Sequence, residues 1–191
     1  MKMLGGLFQT DKNKKFWSNA WMLISRWTWE SPQFLVGYGY FSFRNFIGKV
    51  DRVDYFGGAT FVTNENASDE WGIALGNYII MNIRGKITGD FENYVINNPL
   101  CMHEFGHMID SQTWGLAYLF AIGIPSLMSA MNLKLITQWD GKPVNNYLGL
   151  FTHQVYWTEM RANRRAAKYF KEHYGIDWKN RYPDYPLENP F

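Results

Sequence analysis

Cysteine and charge are both scarce in this sequence. Cys101 is the only cysteine among 191 residues, which excludes an internal disulfide. Charged residues make up 19% of the chain, and 19 basic against 17 acidic residues leave a net charge of +2. That balance, without any motif that combines basic and aromatic residues, gives no indication of a nucleic-acid partner, so we expect none.

The sequence also lacks internal repeats, linkers and the pattern of a signal peptide. In the first fifteen residues the apolar stretch is short, and no small-residue cleavage site follows it. We therefore expect no leader in this chain. The sequence leaves open its compartment, its oligomeric state and whether it is exported as part of a larger precursor. Its length, without linkers, predicts a single domain over residues 1–191.

Apolar residues, in contrast, are abundant. Hydrophobic residues make up 47% of the chain and aromatic residues 18%, enough to bury a core and to exclude intrinsic disorder. One segment, residues 111–133, contains no charged residue and is long enough to cross a bilayer. Gly115, Gly123 and Pro125 interrupt it, which favours a buried core element or a membrane-facing hydrophobic hairpin over a transmembrane helix.

Hydrophobic periodicity and turn residues predict an α+β fold. The helical spacing of aromatic residues predicts a first helix from about Lys12 to Glu30, which Pro32 closes. Between Phe34 and about Ile87 the pattern predicts three to five short strands, mostly antiparallel. Another helix follows Asn98, which is a good N-cap, and a last helix runs from about His153 to Tyr174.

The segment His103-Glu104-Phe105-Gly106-His107 matches the H-E-x-x-H pattern of zinc sites. On a helix, residues four apart lie one above the other, so the imidazoles of His103 and His107 can reach one zinc ion. Glu104 then projects beside the metal, where it can take a proton from a bound water and deliver it to a leaving amine. Two satisfied core histidines on an amphipathic helix are the alternative interpretation.

A catalytic zinc site needs a third protein ligand, for which His153, Glu159 and His173 are the candidates. Glu159 is favoured because it falls on the apolar stripe of the last helix. A carboxylate there is costly unless it is paired or bound to a metal. An ion pair with an arginine elsewhere in the chain is the alternative. His153 is the reserve ligand or a donor to the transition state, and His173 is expected in solvent.

The pattern H-E-F-G-H, followed about fifty residues later by Glu-Met-Arg-Ala-Asn at residues 159–163, resembles that of the gluzincin metallopeptidases. The resemblance implies a zincin-like fold in which His103, His107 and Glu159 hold Zn²⁺ and Glu104 is the general base. In several such families an Asp four residues after the third ligand orients a ligand histidine. This sequence has Asn163 there, which can still accept a hydrogen bond.

More narrowly, HEFGH-x-x-x-S-Q with a following G-I-P-S and a late E-x-x-A-N-R-x-A is similar to small, uncharacterised bacterial zincin-like domains, over roughly Val50 to Phe170. Some of these are C-terminal modules of large secreted repeat proteins. In zincins an edge strand beside the active-site helix pairs with the substrate backbone. The resemblance therefore predicts Tyr78, Ile79 and Ile80 as the substrate strand, with an ordinary core strand as the alternative.

Hydrolysis also needs a hydrogen-bond donor for the oxyanion, and His153, Tyr118, Tyr147 and Tyr156 are available. Tyr156 lies about one turn before Glu159 on the same face of the last helix. We therefore predict Tyr156, together with His153, as the catalytic donor.

These features predict a zinc-dependent hydrolase, specifically a metalloendopeptidase that acts on a peptide or protein substrate. The alternative is a zincin-fold binding or toxin-like module with little or no turnover. In that alternative, residues 115–131 are the segment that would contact a membrane.

Overall fold

The computed structural model describes residues 5–139 and 156–188, and for residues 132–139 it describes the backbone only. These residues form an α+β fold. The helices are α1 (Phe16–Trp27), α2 (Ser31–Phe46), α3 (Phe91–Asn97), α4 (Pro99–Trp114), α5 (Ile124–Trp139), α6 (Trp157–Tyr174) and α7 (Trp178–Arg181). The strands are β1 (Arg52–Phe56), β2 (Ala59–Asn64), β3 (Trp71–Leu75) and β4 (Tyr78–Asn82).

The four strands form one mixed sheet in the order β1-β2-β4-β3. Two antiparallel hairpins, β1–β2 and β3–β4, are joined by a parallel pairing of β2 with β4. Gly57 and Gly58, both with positive φ, make the two-residue turn of the first hairpin, as turn chemistry predicts. The prediction of a mostly antiparallel sheet is correct for the two hairpins. It did not include the parallel pairing of β2 with β4 at the centre of the sheet.

Both faces of the sheet are buried, and β4 shows how. Ile79 and Met81 face the core formed with α4 and α6, whereas Tyr78 and Ile80 pack against Phe34 and other residues of α2. Because β4 is interior, alternate residues on both of its faces are apolar, and the strand is a continuous hydrophobic run. The sheet is therefore a layer between α2 on one side and α4 with α6 on the other.

The prediction that strands begin at Phe34 was wrong, because residues 31–46 form helix α2. The alternation of glycine and tyrosine in this segment has the period of a strand. Its buried residues, however, are Gln33, Phe34, Gly37, Phe41 and Arg44, which have the spacing of one helix face. Pro32 accordingly lies in the first turn of α2, where proline is tolerated, and α1 ends at Trp27.

The HEFGH segment lies in the middle of α4. Asn98 caps this helix, because its side-chain oxygen accepts a hydrogen bond from the Cys101 backbone N–H at 3.0 Å. α4 packs against α6 at Gly106, where an added Cβ would lie 2.1 Å from the carbonyl oxygen of Ala162. The glycine of the motif is therefore what allows the two helices to approach this closely.

The uncharged segment 111–133 extends from the end of α4. A 3₁₀ turn at Gly115–Ala117 and a π-helical turn at Leu119–Gly123 lead into α5. No helix in the described part of the chain combines the length and the apolar character that crossing a bilayer requires. The predicted start of the last helix at His153 lies outside the described residues, and the described part of that helix is α6.

Substitution of Gly106 by alanine tests the close approach of α4 and α6. The added methyl group meets a backbone oxygen that has no room to move, so we expect Gly106→Ala to lower the free energy of unfolding by about 2 kcal/mol. Gly39→Ala in α2 is the control, since nothing lies within 4 Å of its added Cβ. We expect the control to raise stability by up to about 1 kcal/mol. Chemical denaturation measures both, and equal stability of the two variants would contradict the packing.

Candidate metal centre

Two helices bring three buried side chains together. α4 presents His103 and His107 one turn apart, and α6 presents Glu159 opposite them. The Nε2 atoms of both histidines lie 3.2 Å from the same carboxylate oxygen, Oε2 of Glu159. The possible ligand atoms of the three residues all lie within 4.8 Å of one another. This is the donor set of a metal site with two imidazoles and one carboxylate.

The outer nitrogen of His103 is already held in the state that a metal ligand needs. His103 Nδ1 lies 2.7 Å from Asn163 Oδ1, while Asn163 Nδ2 donates to the carbonyl oxygen of Pro186 at 2.9 Å. Because the amide nitrogen is committed to Pro186, its oxygen must accept from His103, and the proton therefore resides on Nδ1. Nε2, which now contacts Glu159, is therefore the nitrogen that His103 would offer to a metal.

The carboxylate of Glu159 is oriented from its other side by two hydroxyl groups. Ser126, in the first turn of α5, donates to Oε1 at 2.5 Å, and Thr158 donates to the same oxygen at 2.9 Å. Burial on its own would raise the pKa of Glu159. The charge of His107 and the hydrogen bonds from both histidines outweigh it and lower that pKa, so the group is ionised. A metal would replace the protons that now neutralise this carboxylate.

Charges around His107 decide its protonation. Burial would lower the pKa of His107, but the charge and hydrogen bond of Glu159, with contributions from Glu104 and Asp110, raise it to about 9. The Nδ1 atom of His107 and the Oδ2 atom of Asp110 are both buried, and neither has a hydrogen-bond partner among the described residues. Asp110 lies three residues after His107, on the same side of α4, and its Oδ1 accepts from Arg161 and Arg165.

A cavity of about 220 Å³ opens beside the triad. One wall is β3, from Gly72 to Leu75, and the other is formed by the segment between Tyr118 and Ala130. Glu104, His107 and Glu159 reach its surface. β3 lies directly against Glu104, because a Cβ added to Gly72 would be 2.5 Å from Glu104 Cγ. The cavity wall therefore brings a strand edge, a carboxyl group and the possible metal ligands together.

The predicted substrate strand was wrong. Tyr78, Ile79 and Ile80 lie on β4, which is paired with β2 on one side and with β3 on the other. Its backbone groups are used by the sheet, so it has no edge to offer to a peptide. The strand that flanks α4 and ends the sheet in the described part of the chain is β3.

Apart from Tyr118, the other residues that the sequence suggested for the site do not line the cavity in the described part of the chain. Tyr156 precedes α6, its ring contacts Trp157, and it is not among the described residues that line the cavity. His173 is exposed near the end of α6, as expected, and its ring lies against Tyr169. His153 and Tyr147 lie outside the described residues.

The sequence did not indicate a role in the site for Ser126, Asp110 or Gly72. It offered Tyr118 only as one of several tyrosines that could donate to the oxyanion. Tyr118 is buried and lines the cavity. Burial, and then the negative charges of Glu104, Asp110 and Glu159, raise the pKa of Tyr118, so its hydroxyl remains a donor. Of these four residues, only Asp110 could have been found from the sequence, because it lies three residues after His107 on the same helix. The other contacts join segments far apart in the chain.

Comparisons of the chain with protein-family models, with curated proteins and with solved structures found no match. The described residues themselves establish an α+β fold and a His-His-Glu cluster that has the arrangement of possible metal ligands. The likeness to zincins and the identity of the metal remain hypotheses that follow from the sequence pattern and the geometry.

Substitution of Asn163 tests whether its amide orients a ligand histidine. We expect Asn163→Ala to weaken zinc binding by about 10- to 100-fold, because the Nδ1–H of His103 loses its acceptor. Asn163→Asp loses the donor to Pro186 but keeps an acceptor for His103, so it should bind zinc more tightly than Asn163→Ala does. Competition with a chromophoric chelator measures both affinities. If Asn163→Ala stays within twofold of the unmodified protein, the proposed orientation is wrong.

The raised pKa of His107 predicts that zinc binding depends on pH. Below about pH 9 His107 is protonated in the metal-free protein, so a metal must displace that proton. Apparent zinc affinity should therefore rise by about tenfold per pH unit between roughly pH 6 and 8, the dependence for one displaced proton. Calorimetry in buffers of different ionisation enthalpy would show the released proton. An affinity that is independent of pH would contradict the assignment.

Proposed function

We propose that this chain is a zinc-dependent hydrolase of the zincin type that cleaves peptide bonds. One observation carries the proposal: two imidazole Nε2 atoms and a carboxylate oxygen converge within 4.8 Å, beside a buried glutamate that borders a cavity. Three protein ligands with an open side are typical of catalytic zinc sites, whereas structural sites have four. Nitrogen and oxygen donors of this kind suit Zn²⁺.

Zinc bound by His103, His107 and Glu159 would polarise a water molecule and the carbonyl group of the scissile bond. The protein supplies what fixes these ligands. Asn163 holds one imidazole, and Ser126 with Thr158 holds the carboxylate. Groups fixed in this way lose little freedom when the metal binds.

Glu104 is the proposed general base. Its side chain borders the cavity at the same place as His107 and Glu159. Burial raises the pKa of Glu104, and the nearby histidines only partly counteract that effect. A carboxylate with a raised pKa is a better proton acceptor near neutral pH. Glu104 would accept a proton from the attacking water and pass it to the leaving nitrogen.

β3 and Tyr118 are the proposed contacts with the substrate. β3 pairs with β4 along one edge only in the described part of the chain, so its other edge can pair with an extended peptide. Tyr118 lines the opposite wall of the cavity and keeps its proton, which would let it donate a hydrogen bond to the developing oxyanion. It takes the role that the sequence suggested for Tyr156.

The substitution Glu104→Gln separates turnover from metal binding. It removes the base but keeps the shape of the side chain, so kcat/KM on a peptide library should fall by about 100-fold or more. Zinc content, measured by mass spectrometry of the metal, should stay at one ion per chain. Glu172→Gln is the matched control, because Glu172 lies on the exposed side of α6 and pairs with Lys168.

Three outcomes of this experiment are distinguishable. Loss of cleavage only in Glu104→Gln, with zinc retained, supports the proposed mechanism. Unchanged cleavage in Glu104→Gln would contradict it. Zinc binding without cleavage of any library peptide by the unmodified protein would instead favour the alternative, a zincin-fold binding or toxin-like module without turnover.

A further inference from the structure

Helix α1 turns its apolar side outward. The exposed large hydrophobic residues of this helix are Phe16, Trp17, Trp21, Ile24 and Trp27, and Trp17 is 80% exposed. Its buried residues are Met22, Ser25 and Arg26. An ordinary surface helix buries its apolar stripe and exposes its polar one. α1 has the reverse arrangement, and an exposed apolar side of this kind is typical of an interaction surface.

A second apolar stripe runs along the segment that follows α4. Its exposed large hydrophobic residues are Leu116, Phe120, Ile124, Leu127, Met128 and Met131, and all except Leu127 recur at intervals of three or four. Phe120 is 75% exposed. The same segment also borders the cavity of the candidate metal centre, with Ile124, Ser126, Leu127 and Ala130 among the lining residues.

The two stripes meet at the C-terminal end of α4. Gln112 borders the same groove as Trp17 and Trp21 of α1. Three residues later, Gly115 contacts the ring of Trp29, and its carbonyl oxygen accepts a hydrogen bond from Gln33 at 2.7 Å. Leu116 follows directly. The exposed side of α1 and the stripe from Leu116 to Met131 therefore adjoin each other, and we call them together the apolar face.

The charges on and beside the apolar face have one sign. Lys14 and Lys15 lie at the start of α1. Between residues 12 and 49 the only acidic residue is Glu30, which is buried and accepts hydrogen bonds from Ser25 and Ser111. Residues 111–133 contain no charge at all. Within these two ranges, the described residues of the apolar face therefore present lysines and no exposed carboxylate.

We propose that the apolar face docks on the surface of an anionic lipid bilayer. Tryptophan side chains favour the headgroup region, and lysines beside them are attracted to anionic lipids. A second copy of the face would bring lysines but no carboxylates to pair with them, which disfavours that occupant. No described helix can cross a bilayer, so the face lies on the membrane. Docking would leave the cavity beside the lipid.

Co-sedimentation of the full chain with vesicles tests this proposal. We expect binding to vesicles of phosphatidylcholine with phosphatidylglycerol, little binding to phosphatidylcholine alone, and weaker binding at high salt. The double variants Trp17→Gln/Trp21→Gln and Phe120→Ser/Met128→Ser should each bind at least about tenfold more weakly, as should Lys15→Glu. All these residues except Lys15 are more than half exposed, so folding should persist, which circular dichroism checks.

Phe46→Ser is the matched control, because Phe46 is 87% exposed but lies at the far end of α2 from the corner that contacts Gly115. It should bind vesicles as the unmodified protein does. The proposal fails if the unmodified protein binds neither vesicle, or if it binds both kinds equally and Phe46→Ser weakens binding as much as the double variants. It also fails if analytical ultracentrifugation shows a dimer that Trp17→Gln/Trp21→Gln dissociates while vesicle binding is absent.

Discussion

The contact between α4 and α6 at Gly106 is the constraint from which the candidate site follows. A backbone oxygen of α6 occupies the space that a side chain at position 106 would need. His103 and His107 flank this glycine on α4, and Glu159 lies one turn before Ala162 on α6. Both imidazoles therefore approach the same carboxylate oxygen. If the two helices were further apart, the histidines and the buried Glu159 would lose contact with each other. Burying these polar groups without a partner would then cost free energy.

Each ligand is then oriented by a different part of the chain. The residues after α7 hold the Asn163 amide through Pro186, and α5 reaches Glu159 through Ser126. Asp110 adds negative charge behind His107 and is itself anchored by two arginines of α6. Such supporting contacts fix ligand geometry before a metal arrives. They also connect the site to the apolar face, because the helix that carries Ser126 also carries the exposed residues Met128 and Met131 of that face.

The sequence predicted local features well and contacts between distant segments poorly. The spacing of His103 and His107 fixes their relation on one helix. The buried stripe of the last helix identified Glu159, and the resemblance to the gluzincin pattern identified Asn163, and both residues lie against the histidines. The alternation of glycine and tyrosine within residues 34–43 led to the wrong prediction of a strand, because residues with a period of two can also occur in a helix that packs against a sheet. Sheet order decides that β4 is interior and that β3 borders the site. The path of the chain after α4 decides that Tyr118 and Ser126 reach the site. No local sequence pattern encodes either of these.

The most direct test of the account is a crystal structure of the zinc-loaded protein with anomalous diffraction recorded at the zinc edge. The account predicts one strong peak between the two α4 histidines and Glu159, with Nε2 of His103 and of His107 at about 2.0–2.1 Å and a carboxylate oxygen at a similar distance. It also predicts that the Nδ1–H of His103 still donates to Asn163. A zinc ion bound elsewhere, or none after loading at neutral pH, would contradict the central claim.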